Sequence, residues 1–212
     1  GLAKLLAKHG ARAMLVPEID PAMRIPTSKV IINVSRIPGF GNVSKRRGKV
    51  SFGTGVTFGE VFRQISGENG LLKQALSMLA NPLVRNRAMV LEGLDSESPY
   101  FDLSTALVTL RARIRLQSAS GSRMLGIEEF LLAAAEGLNR GEFPAQVEFP
   151  VLDSNYRVGF FRVNPGVGKN TVSASIRTKL RRNIASGPEI VVSSSTIIPV
   201  RSPAAERALA RQ

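Results

Sequence analysis

The chain has 212 residues, 43% of them hydrophobic, with 19 glycines and 12 prolines, enough apolar material for one sizeable core or two modest lobes. Its 29 Lys and Arg against 16 Asp and Glu leave a formal net charge of +13 at pH 7, which attracts anionic partners. With no cysteine the chain has no disulfides, thiolate metal sites or iron–sulfur cluster of its own, and its single histidine, His9, leaves little for a histidine-centred site.

Gly1–Gly10, GLAKLLAKHG, sets Leu2, Leu5 and Leu6 on one helical face and Lys4 and Lys8 on the other, which predicts a short amphipathic helix stopped at Gly10. Ala13–Arg24 begins as a strand, and Lys29–Val34 reads as a short buried strand of the parallel kind, left through a turn at Ser35–Gly39. Alternation through Val43, Val50 and Phe52 around Lys45-Arg46-Arg47-Gly48 predicts a hairpin. Thr57–Ile65 is a predicted helix in which Thr57 and Glu60 form a capping box.

Leu71, Leu72, Ala75, Leu76 and Leu79 recur at helical spacing, and Asn81-Pro82 ends that helix because proline disfavours helical geometry in the residue before it. A buried turn is expected next, with Arg85, Asn86 and Arg87 supplying donors and an amide. Ser98-Pro99 and Asp102 then open a second helix, Ser104–Leu110, with the acid near its positive end. Arg111–Gln117 alternates Ala112, Ile114 and Leu116 against Arg111, Arg113 and Arg115, the pattern of an edge strand kept soluble by its cationic face. Ser118–Arg123 reads as a polar turn, Gly126–Phe130 leads into a helix, and Glu142–Val151 is a strand interrupted by Pro144. Alternating strands come next at Tyr156–Val163, Thr171–Leu180 and Glu189–Ile198, with a glycine-rich turn at Asn164–Gly168. The GVGK at Gly166–Lys169 lacks the leading glycine, the spacing and the following Ser or Thr of a phosphate loop.

Val84-Arg85-Asn86-Arg87, with Pro99 and Asp102-Leu103 at the expected distance, resembles the second flavin-contacting segment in the FAD-binding subunits of molybdenum hydroxylases, the xanthine dehydrogenase, aldehyde oxidase and carbon monoxide dehydrogenase type. Thr57 and Glu60 resemble that family's T-T-H-x-E-L segment, Pro21, Met23 and Arg24 its first flavin loop, and Ile198–Leu209 its APTPVRAPAAEAAL run. The resemblance implies an α+β protein with a two-lobed PCMH-type FAD-binding fold over residues 1–150. A small α/β lobe would cover residues 1–40 and a mixed-sheet lobe residues 41–150, followed by an antiparallel sheet subdomain at residues 151–212. It also implies a strand ahead of Gly1 and a helical cap after the last residue, so truncation is expected at the N-terminus and before the cap.

Subunits of this kind carry electrons from a two-iron, two-sulfur subunit through FAD to an acceptor, while substrate is oxidised at a molybdenum cofactor on a third subunit. The resemblance therefore implies an iron–sulfur subunit and a molybdenum-cofactor subunit as partners. It marks Asp102, Arg85, Asn86 and Thr57 as cofactor-binding candidates. Asp102 is carried over as a flavin contact and reads equally well as a helix N-terminal acid; Arg85 and Asn86 also read as turn-fixing residues. The glycines do not match: the family's GTLGGN is here Ala88-Met89-Val90-Leu91-Glu92-Gly93, and the first loop's two glycines fall on Leu15 and Val16, ahead of Pro17 and Glu18. Side chains fill such a cradle and proline removes a donor, so FAD binding is expected to be weak or absent.

No apolar run approaches the about 20 residues of a membrane helix, and the first residues lack a secretory pattern, so a cytoplasmic location without membrane contact is expected. Three readings stay open: an electron-transferring flavoprotein subunit, a flavin-free structural subunit of such a complex, or a basic nucleic-acid-associated module. Scattered basic residues, two tyrosines and no tryptophan weigh against the last.

Overall fold

The apolar runs at the start of the chain pair side by side: Ala13–Val16 (β1) and Val30–Asn33 (β2) run parallel, with Ala13 beside Val30 and Val16 beside Asn33. Helix Leu2–His9 (α1) precedes them. The computed structural model describes residues 2–9, 13–16, 30–34, 37, 40–65, 70–96, 98, 100–163, 171–181, 184–194 and 197–210. The expected continuation of the first flavin loop at Pro17–Arg24, Pro99, and the Asn164–Gly168 turn with the GVGK lie outside those residues. Leu2, Ile32 and Val34 bury against Phe40, Met89, Phe143 and Ala145, so apolar contact docks the N-terminal lobe on the central one.

A five-stranded antiparallel sheet forms the centre, in the order β3-β4-β7-β5-β6. Its strands are Val43–Arg46 (β3), Lys49–Gly53 (β4), Arg113–Gln117 (β5), Ser122–Gly126 (β6) and Phe143–Pro150 (β7). The hairpin between β3 and β4 turns at Arg47 and Gly48, with φ of 51° and 71°, the paired left-handed residues that a two-residue turn matching strand twist requires. Alternation places Val50, Phe52, Ile114, Leu116, Val147 and Phe149 on the buried face. Onto it pack Phe58–Gln64 (α2), Gly70–Leu79 (α3), Leu103–Thr109 (α5) and Ile127–Glu136 (α6), with the single-turn helix Pro82–Arg85 (α4) between α3 and a 3₁₀ turn at Val90–Leu94.

Three local expectations differ from the structure. β5 lies between β7 and β6, not at an edge. Alternation reports that one face is buried but says nothing of whether the backbone finds partners on both sides. The polar turn is shorter than expected because Ser122 and Arg123 belong to β6, pairing with Gln117 and Leu116. The stretch after Asn81 is not buried: α4 has no buried residue and Leu83 is 80% exposed. Its polar groups are satisfied locally, Val84 N–H donating to Asn81 Oδ1 at 3.0 Å, so nothing forces it inside.

The rest of the chain is a four-stranded antiparallel sheet ordered β11-β10-β9-β8, from Tyr156–Val163 (β8), Val172–Arg181 (β9), Ile184–Ser194 (β10) and Ile197–Arg201 (β11), followed by Pro203–Leu209 (α7). The sheet's polarity is reversed. Ser173, Ser175 and Arg177 of β9 face inward and are buried, while Phe161, Val163 and Val172 are exposed. Phe160 and Val191 nonetheless join the central cluster, so one continuous core runs from the five-stranded sheet into the four-stranded one.

Candidate functional site

Asp102 stands at the start of α5 and is 4% exposed, but its carboxylate makes no cap bond to its own helix. Oδ2 accepts from Arg162 Nε of β8 at 2.9 Å, and Oδ1 accepts from Ser173 Oγ of β9 at 3.0 Å. Along the same helix Thr105 Oγ1 meets Ser173 Oγ at 2.9 Å, Thr109 Oγ1 meets Ser175 Oγ, and Ser175 Oγ donates to the Thr105 carbonyl at 3.0 Å. At the far end Glu189 accepts from Arg177 Nη2 at 2.8 Å and pairs with Arg111. Burial pushes the Glu189 carboxyl up, yet the hydrogen bonds and charges of Arg177 and Arg111 outweigh it and hold the group below the ordinary carboxylate range. A ladder of hydroxyls closed by an ion pair at each end thus joins α5 to the sheet.

The other three candidates gather around α2. Thr57 caps that helix: Glu60 N–H donates to Thr57 Oγ1 at 3.2 Å, and Thr57 N–H donates to Glu60 Oε2 at 2.8 Å. Arg85 Nη1 donates to the Ala80 carbonyl at 2.6 Å, tying off the end of α3, and its guanidinium lies 4.8 Å from the Phe62 ring centre. Asn86 Oδ1 accepts from Arg63 Nη1 at 3.4 Å and sits so close to α2 that a Cβ on Gly59 would approach it to 2.5 Å. Thr57, Arg85 and Asn86 therefore share one corner, whereas Asp102 reaches toward β8 and β9. Among the described residues no group of three or more His, Cys, Asp or Glu could hold a metal ion.

Between these sets runs Ala88–Glu92, the stretch matched to the second flavin segment, and its donors can be counted. Ala88 N–H donates to the Val84 carbonyl at 2.8 Å, Val90 to Val56 at 2.9 Å, Leu91 to Thr54 at 2.8 Å and Glu92 to Met89 at 3.0 Å. Met89 N–H donates to the Glu92 carboxylate at 2.9 Å. Burial raises the Glu92 pKa, against the Met89 bond, which lowers it, and with Asp95 adding to the rise. Leu91 packs against the apolar cluster that joins the N-terminal and central lobes, as does Ile37. Gly93 alone keeps a glycine's function, since a Cβ there would lie 2.5 Å from Leu103 Cδ2. A pyrophosphate needs convergent N–H groups that are free to donate, and the five N–H groups of this segment are all engaged within the chain, so this segment as it stands does not fit that role.

Arg162, Ser173, Arg177 and Glu189 carry much of this geometry, and sequence reasoning passed over them. Nothing local signals a partner 60 residues away, as Arg162 is from Asp102. Glu92 gave no such signal either, since Met89 cannot cap a helix with its side chain and only the structure shows the Met89 N–H donating to the Glu92 carboxylate.

A parallel pair, a five-stranded sheet with its helices and a four-stranded antiparallel sheet together make a mixed α+β fold. The fold is similar to carbon monoxide dehydrogenase from Hydrogenophaga pseudoflava in a form lacking the Mo-pyranopterin moiety, with a TM-score of 0.81 at 19% identity over 100% of this chain and 77% of that one. It is also similar to quinoline 2-oxidoreductase from Pseudomonas putida 86, with a TM-score of 0.76 at 18% identity over 98% and 75%.

The chain belongs to the family described as the FAD binding domain in molybdopterin dehydrogenase, which matches residues 13–152, and so is of the FAD-binding subunit type of molybdenum-hydroxylase dehydrogenases. It is 24% identical to the 6-hydroxypseudooxynicotine dehydrogenase complex subunit alpha of Paenarthrobacter nicotinovorans, over 92% of this chain and 67% of that protein. It is 26% identical to the glyceraldehyde dehydrogenase medium chain of Sulfolobus acidocaldarius, over 80% of this chain and 60% of that protein.

Proposed function

We propose that this chain takes the flavoprotein position in a molybdenum-hydroxylase-type dehydrogenase complex, beside an iron–sulfur subunit and a molybdenum-cofactor subunit, with an affinity for FAD well below that of subunits whose glycine-rich segments are intact. The observation that carries the reading is the family match over residues 13–152. The relatives support it: one is a subunit of a dehydrogenase complex and another a medium chain. The composition agrees, because a chain without cysteine draws any iron–sulfur centre from a partner.

With the second flavin segment closed, the chain contributes its fold and its surfaces. The polar side of the five-stranded sheet exposes Arg46, Lys49 and Arg113, and a net charge of +13 favours encounter with acidic neighbours. The experiment is isolation of the tagged chain from its native host, followed by subunit identification and iron and molybdenum analysis. Iron–sulfur and molybdenum subunits at stoichiometric levels are expected. A free monomer that binds DNA in a steeply salt-dependent manner would instead support the nucleic-acid reading.

A further inference from the structure

We infer that Ala88–Glu92 has been converted from a dinucleotide cradle into a permanent internal contact, so that the lobes of this protein dock on one another without a ligand. The inference rests on the proposed family role and deepens it. Its grounds are the five consecutive N–H groups of Ala88, Met89, Val90, Leu91 and Glu92, every one of which already donates inside the chain. Four go to backbone carbonyls, and the bonds from Val90 and Leu91 reach Val56 and Thr54, which fixes the segment to the end of β4. The fifth, from Met89, goes to a carboxylate, so the one strong acceptor at this turn is supplied by the chain's own Glu92.

Two side chains finish the closure. Leu91 enters the apolar cluster shared by α1, β2 and β7, the seam between the lobes, where a charged ligand would be desolvated without compensation. Glu92 adds a carboxylate, half-buried and next to Asp95, that repels any phosphate approaching the same turn. At this segment an incoming dinucleotide would have to break existing hydrogen bonds, displace Leu91 and accept a like charge, with no free N–H among Ala88–Glu92 as return. In the N-terminal lobe, Leu15 and Val16 lie within β1, in register with Ile32 and Asn33, so the positions matched to the first loop's glycines are strand residues.

The test uses the full chain in the assembly isolated from the native host, with FAD as the probe and flavin fluorescence and thermal unfolding as readouts. Wild type is expected to show no saturable flavin binding and no FAD-dependent rise in Tm. L91G/E92G, which removes both obstructions, is expected to bind FAD at least about 100-fold more tightly than wild type. Amide hydrogen exchange on wild type provides a measurement that does not depend on the variant folding: Met89, Val90 and Leu91 should be protected equally with and without FAD. Stoichiometric flavin on wild type, or protection of those amides that appears only on adding FAD, overturns the inference. So does an L91G/E92G chain that folds and binds no better than wild type. If no complex can be isolated, the same titration and hydrogen exchange are run on the purified chain alone, so failure of the complex to form counts against the proposed assembly and leaves the flavin test standing.

Discussion

Replacing Asp102 with Ala tests whether that buried acid ties the C-terminal sheet to the central lobe. The side chains of Asp102 and Arg162 are 5% and 17% exposed, and Ser173 bonds the second carboxylate oxygen. Removing the carboxylate leaves a mostly buried guanidinium unpaired and a buried hydroxyl without its acceptor. Breaking a buried pair from one side costs about 3–5 kcal/mol, and the part of Arg162 that still reaches water puts the expectation at the low end. For a chain of this length each kcal/mol moves Tm by about 2–4 °C, so a loss of about 3 kcal/mol predicts a fall of about 6–12 °C. Circular dichroism through the thermal transition measures it. The control is the cycle with Arg162→Met, which keeps the apolar stem and removes the charge. The double variant should recover more than about 1 kcal/mol of the summed losses, because the two groups are in contact. A Tm for Asp102→Ala within about 2 °C of wild type, or strictly additive losses, would show that the pair does not hold the sheet.

Thr57→Ala removes the side-chain acceptor at the start of α2 and is expected to cost about 1 kcal/mol, read as a lower urea midpoint at unchanged m-value; an unaltered midpoint would mean the cap is not stabilising. Acid unfolding should depend on Glu189. Burial raises its pKa, but Arg177 and Arg111 more than offset this and leave it below the ordinary 4.5. A lowered folded-state pKa gives stability that is fully present above the unfolded value and lost as pH falls through the folded one. Glu189→Gln should therefore flatten the acid limb of a Tm-versus-pH curve, and an unchanged limb refutes the assignment. Glu92 works with the opposite sign, since its raised pKa makes its contribution fall as pH rises from 4.5 through its folded value. Glu92→Gln should accordingly leave the limb below that window intact and raise Tm above it relative to wild type; a Tm that drops above it would contradict the sign.

Much of the fold is legible in the sequence because its signals are local. The helical spacing of Leu71 to Leu79, the Thr57–Glu60 pair and the Lys45–Gly48 turn each act within a few residues, and the structure places α3, the α2 cap and the β3–β4 hairpin there, the turn itself narrowing to Arg47 and Gly48. The features that escape such reading depend on distant partners. The Arg111–Gln117 alternation reads as an edge because nothing in it records that β6 and β7 flank it. Asp102 reads as a helix N-terminal acid or a ligand contact because its two partners lie 60 and 71 residues further along. The serines of β9 offer no apolar pattern, since that strand turns its hydroxyls inward and its valine outward.

That reversed strand also bears on how the scaffold would hold without a bound flavin. A sheet docked through hydroxyls and ion pairs depends on those partnerships, because each buried polar group left unsatisfied costs about 1–3 kcal/mol, and in this ladder only Arg177 Nε among the named groups goes without one. Asp102 has both oxygens engaged, Glu189 has two arginines, and Thr105 and Thr109 each meet a serine. Ala88–Glu92 is fully satisfied, with none of its five N–H groups left over. In both places these groups are bonded within the chain, in the sheet by long-range side-chain pairs and in Ala88–Glu92 by four backbone carbonyls and the Glu92 carboxylate. A segment whose donors are satisfied internally needs no dinucleotide for its own stability, and the apolar core from Val50 to Val191 needs none either. Substitution of the glycines and retention of the fold are thus compatible, because the interactions that order the lobes are separate from those a flavin would make.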